Sequence, residues 1–201
     1  SGHTVAMLSA MAQFSPSSYY SDILRGYQYY EFIEKADRDF DSMKEMLAEN
    51  LKRTAALIFT KENLTVSFTA EDDGLELLQK PMTEFVAKLA RLQEKDAVRT
   101  FRPVKEKTAY TSSSQVQYVA RCGNYRKAGY EYTGALKVLK IIFSYDYLWL
   151  NVRVKGGAYG CMSGFYRNGD TYMVSYRDPN LAETNTIFEQ AAEYVRRFDV
   201  S

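Results

Sequence analysis

Leu148-Trp149-Leu150-Asn151-Val152-Arg153-Val154-Lys155-Gly156-Gly157-Ala158-Tyr159-Gly160 is the stretch at which the pattern of the chain changes from helix to strand. Upstream, from Glu131, the apolar residues Leu136, Leu139, Ile142, Phe143, Tyr147 and Leu150 recur at three- and four-residue spacing, which predicts a helix with one buried face ending near Asn151. Downstream, 158–166 and 171–176 are rich in β-compatible residues and flank Arg167-Asn168-Gly169-Asp170. The Asn-Gly pair between two such runs predicts a β-hairpin. Between helix and hairpin lie a fixed cation, Arg153, a phenol, Tyr159, and two glycines free to take positive φ.

Arg153 and Tyr159 are six positions apart, a separation that would hold them roughly 20 Å apart in an extended chain. One site can use both only if the chain folds back at Gly156 and Gly157, which those residues permit. A guanidinium and a phenol aimed at one point suit a carbonyl oxygen that gains negative charge. The same residues also fit a solvated arginine beside a half-buried strand tyrosine, and chemistry alone favours that plainer reading.

The run 148–160, followed by Ser175-Tyr176-Arg177-Asp178-Pro179-Asn180, resembles the last domain of the insulinase or pitrilysin family of zinc metallopeptidases, and within it the presequence-protease branch. The resemblance is clearest over 133–198. It is recognisable in Gly2-His3, 27–32 and 64–70, and weak over 92–130. It implies a metallohydrolase-like domain of the mitochondrial-processing-peptidase type, one part of a metalloendopeptidase whose two bowl-shaped halves close around an unstructured peptide. In that family zinc sits in the first domain, and an Arg and a Tyr of the last domain reach the substrate near the scissile bond. Matched position by position, these are Arg153 and Tyr159, with Gly156 and Gly157 shaping the substrate-binding bend. The implied partner is the N-terminal catalytic half of the same polypeptide.

The totals are compatible with this. The chain has 201 residues and a net charge of +1, and a pI near 7.6 argues against an electrostatic nucleic-acid binder. No apolar run reaches membrane-spanning length. Cys122 and Cys161 match no CxxC spacing and read as two free thiols in a reducing compartment, so a cytoplasmic location is expected. The start, Ser1-Gly2-His3-Thr4, has neither an initiator Met nor a signal sequence and suggests a processed or excised segment.

His3 is the sole histidine, so a zinc motif built on two histidines is excluded. A Ser-His or Cys-His catalytic arrangement would have to use this residue near a terminus. Zinc is therefore expected in the parent enzyme and not on this fragment, which alone is expected to be inactive. Asn63-Leu64-Thr65 is read as a chance sequon, and Glu71-Asp72-Asp73 as a helix-start charge run rather than a cation site.

Elsewhere the pattern predicts helices over 1–14, 22–36, 39–56, 75–92 and 183–198, with a polar break at Ser15 to Ser18 before the second of them. Strands are predicted over 63–70, 108–111 and 115–125, and a loop over 94–101. Together these make an α+β domain over 57–201 with an antiparallel or mixed sheet of about four to six strands and helices packed on one face. Residues 1–56 form a helical segment that caps it or ends a preceding domain. The alternative to a peptidase part is a stand-alone non-catalytic module. It would bind peptide by strand addition at a hairpin edge or, less favoured, RNA, since Lys155 to Gly160 followed by Phe165 is loosely similar to an RNP1 strand.

Overall fold

A computed structural model describes residues 2–91, 101 and 105–199. The expected hairpin is its centre: β2 (Gly160–Phe165) and β3 (Asp170–Tyr176) pair antiparallel, with Phe165 opposite Thr171. Gly169 turns the chain with φ +97, a conformation that favours glycine. β1 (Ala120–Asn124) pairs antiparallel with the other side of β3, giving the order β1-β3-β2. Among the described residues the sheet has three strands rather than four to six. The segments 64–70 and 108–111 have no strand partner there. Alternation reports two differently solvated faces and does not itself supply a neighbour to pair with.

Residues opposed across the ladders share a face. Cys161, Phe165 and Met173 face a core of Val119, Phe143, Tyr147, Leu148, Val152, Ala158, Phe188 and Ala191. That core is closed by the helix α6 (Ala135–Ile142) with its continuation and by α7 (Leu181–Arg197). The opposite face carries Cys122, Tyr172 and the fully buried Val174, and α1 (Gly2–Met11) lies against β1 and β3 there. Cys122 Sγ donates to the Met7 carbonyl at 3.8 Å. Helices thus cover both faces rather than one, because both faces present side chains that must leave water.

Two compact units divide the chain: Ser1–Ile33 with Phe101–Ser201, and Glu34–Thr100. Helix α1 and helix α2 (Pro16–Arg25) therefore share a unit with the sheet. The expected polar break at Ser15 is a helix start. The Ser15 side chain caps Ser18 N–H at 3.1 Å, and Pro16 occupies the first turn, where its missing N–H costs nothing. Asp170, fully buried at the hairpin turn, joins this start to the sheet. Its carboxylate accepts from Ser15 Oγ, from Ser18 Oγ at 2.6 Å, from Asn124 Nδ2 at 2.7 Å and from Asn168 Nδ2 at 2.9 Å.

The other unit holds α4 (Phe40–Ile58) and α5 (Asp72–Lys88), with a parallel bridge between Thr60 and Ala90. The helix α3 (Tyr27–Arg38) runs across the division between units. Asp72 and Asp73 fall in the first turn of α5, consistent with a helix-start charge run. The loop expected over 94–101 lies, except for Phe101, outside the described residues. No helix among the described residues is long and apolar enough to cross a membrane.

Candidate functional site

Helix α6 does not end near Asn151. It continues through wide, π-type turns over Phe143–Tyr147 and Trp149–Lys155. Each such turn takes an extra residue and rotates the following side chains relative to a regular helix. Leu148 and Val152 are consequently fully buried, while Leu150, predicted inward, is half-exposed. The same rotation carries Arg153, in the final turn, to the rim of the core. Its guanidinium lies over the Trp149 ring, with Cζ 4.0 Å from the ring centroid.

The chain then reverses. Gly156 N–H donates to Asn151 O at 3.0 Å, Gly157 N–H to Arg153 O at 3.0 Å and Ala158 N–H to Val152 O at 3.1 Å. Gly157 has φ +76, as the sequence leads one to expect of a glycine bend. Gly156 has an ordinary helical φ of −78. It is small for a different reason, since a Cβ there would stand 2.6 Å from the Val152 carbonyl oxygen. Asn180 Nδ2 donates to Gly156 O at 2.6 Å and pins the bend from the loop before α7.

This reversal places Tyr159, 59% exposed, beside the helix end, with the Arg153 Cζ 5.9 Å from its ring centroid. The two predicted site residues therefore meet, within cation–π reach and outside the sealed core. A second cation joins them. The Cζ of Arg177 lies 5.8 Å from the same ring centroid, and the Tyr176 ring meets Tyr159 edge-on at 5.6 Å. The His3 ring lies tilted against Tyr176 at 5.1 Å, and partial burial holds its imidazole below the usual range. Trp149, Tyr176, Arg177 and Asn180 carry no assignment from sequence reasoning. Their only signal there is that all four fall within the two runs that resemble the peptidase family.

Arg177 is the one non-glycine residue at positive φ among the described residues, at +49. That conformation costs a residue with a Cβ roughly 1–2 kcal/mol. It is imposed from both sides. Gln117 and Asp178 exchange backbone hydrogen bonds at 3.0 Å, and Tyr159 N–H donates to the Arg177 carbonyl at 3.2 Å. The buried Asp178 carboxylate accepts from Ser175 Oγ at 2.5 Å, Thr184 Oγ1 at 2.8 Å and the Asn180 N–H at 2.8 Å.

Chemically, the site is a cationic and phenolic surface with exposed N–H and O–H donors. Among the described residues neither Arg153 nor Arg177 forms an ion pair, so their donors face solvent and aromatic rings. No group of three His, Cys, Asp or Glu side chains among the described residues converges as metal ligands. The described residues do not fit a zinc site. Cys122 and Cys161 are free thiols. Burial, with Asp170 nearby, pushes Cys122 up to about 12; burial pushes Cys161 up to about 11, a rise that Arg153 opposes. The strand with an RNP1-like pattern does not present its aromatic ring for base stacking. Phe165 packs towards the core, stacked on Phe143 at 6.3 Å.

Fold and site thus define an α+β domain that displays an Arg–Tyr donor pair at a helix-to-strand reversal. Residues 107–201 match the family model described as the PreP C-terminal domain. Over 202 residues, 99% of the chain, it is 35% identical to Protein HypA of Clostridium perfringens, covering 20% of that protein. It is 29% identical to Presequence protease 1, chloroplastic/mitochondrial, of Arabidopsis thaliana over 100% of the chain and 19% of the relative. It is 24% identical to Presequence protease, mitochondrial, of Xenopus laevis over 98% of the chain and 22% of the relative. The chain spans about a fifth of the length of these curated relatives.

Proposed function

We propose that this chain acts as the closing, non-metal-binding part of a longer zinc-dependent metalloendopeptidase that degrades unstructured peptides in a closed chamber. In this reading Arg153 and Tyr159 donate hydrogen bonds to a substrate carbonyl near the scissile bond and stabilise the charge on its oxygen in the tetrahedral intermediate. The N-terminal catalytic half of the same polypeptide would hold the zinc that the family resemblance implies, and the ion would supply Lewis-acid chemistry there.

The observation that supports the reading is the meeting of Arg153 and Tyr159 across the Gly156-Gly157 bend, with the phenol largely exposed. The pair offers a guanidinium with several N–H donors and a phenolic O–H donor. Trp149 under the guanidinium and the hydrogen-bonded bend hold this donor set in place before substrate arrives, which is what electrostatic stabilisation requires.

The test is turnover of an unstructured peptide by the longer protein. Arg153→Ala and Tyr159→Phe are each expected to lower kcat on the order of a hundredfold while circular dichroism and thermal midpoint stay unchanged. Full turnover in both variants would remove these residues from the mechanism.

A further inference from the structure

We infer that Arg177 is a positioning residue for Tyr159, a role that rests on the proposed function of the Arg153–Tyr159 pair. Three observations lead to it. Arg177 alone among the described non-glycine residues holds a left-handed backbone conformation. Its carbonyl accepts the Tyr159 N–H, and its guanidinium flanks the Tyr159 ring at 5.8 Å. No carboxylate among the described residues pairs with that guanidinium.

A glycine would occupy this backbone position without strain. Keeping an arginine there is counterproductive for folding unless the side chain serves another purpose, and strain retained beside a reactive group points to function. The left-handed residue is bracketed by the Gln117–Asp178 bridge and the buried Asp178 carboxylate, so Arg177 is aimed by a rigid support. Tyr159 is otherwise open to solvent on much of its surface, and a single exposed ring samples several rotamers. With Arg153 at 5.9 Å and Arg177 at 5.8 Å from its centroid and Tyr176 against it edge-on, the phenol is held where its O–H is presented to substrate. Arg177 acts through Tyr159 and is assigned no contact with the reacting atoms.

The experiment uses the longer protein with a quenched unstructured peptide as substrate. Arg177→Gly removes both the guanidinium and the backbone strain. The expected result is a thermal midpoint unchanged or raised, KM little changed, and kcat lowered about tenfold or more. Arg177→Lys, which keeps a cation near the ring, should recover most of the lost kcat. In a Tyr159→Phe background, Arg177→Gly should cost nothing further, because the hydroxyl it orients is already gone. Normal kcat in Arg177→Gly, with Arg153→Ala impaired, overturns the role of Arg177 alone. An additive loss in the double variant also overturns it, since Arg177 would then act independently of Tyr159. Normal kcat in Arg153→Ala overturns the underlying reading of the site instead.

Discussion

At Gly157, a φ of +76 means that any side chain would have to be accommodated in a strained backbone. At Gly156 the obstacle is steric, with the Val152 carbonyl 2.6 Å from where a Cβ would sit. Gly157→Ala is therefore expected to destabilise the sheet unit by about 1 kcal/mol or more, and Gly156→Ala to widen the bend that sets the Arg153–Tyr159 approach. Urea unfolding midpoints check the first, and an unshifted midpoint would contradict it. The bend was legible in the paired glycines, but the separate reason for each was not, because only coordinates show which carbonyl stands in the way. The thiols supply a second prediction at this scale. Cys122 and Cys161 are pushed up to about 12 and about 11 from an ordinary value of 9.0, chiefly by burial. Above that ordinary value the unfolded chain releases protons that the folded chain keeps. The stability these thiols provide is thus intact below about pH 9 and declines as the pH rises through 9 towards 11 and 12. Of unfolding midpoints at pH 7, 9 and 10.5, the larger fall should come between the last two, and Cys122→Ala should flatten that fall. Slow alkylation of both thiols at pH 7.5 is expected for the same reason.

Among the elements, the hairpin was read correctly because Asn168-Gly169 encodes its turn locally. The helix before it was found, but its end was misplaced by four residues, from Asn151 to Lys155. A 3.6-residue period has no means of announcing an extra residue in a turn, so Leu150 was assigned inward in place of Leu148 and Val152. The short strands expected over 63–70 and 108–111 have no strand partner among the described residues, and strand pairing is a non-local property. Asp170 shows how such non-local information is stored. Nothing near it in sequence predicts that Ser15 and Ser18, more than a hundred residues away, donate to its buried carboxylate. Asp170→Ala would leave four donors unsatisfied, and a loss of about 3 kcal/mol in unfolding free energy is expected. A loss below about 1 kcal/mol in denaturant titration would show that water reaches and satisfies this network.

For the whole molecule, the chain covers about a fifth of the relatives it matches, and in the proposed reading it would contribute a preformed pair of donors to a longer protein. The resemblance in the sequence named Arg153 and Tyr159 and the paired glycines suggested the reversal, whereas their approach depends also on the wide turns and Asn180, both visible only once the chain is folded. Two donors that grip one oxygen are coupled, because the second cannot hold its full share of the charge once the first is missing. The direct test is a double-mutant cycle on kcat in the longer protein with Arg153→Ala, Tyr159→Phe and both together. The account predicts a large loss in each single variant and a combined loss smaller than their sum in free energy, by about 0.5–3 kcal/mol. Strictly additive losses, or none, would contradict it.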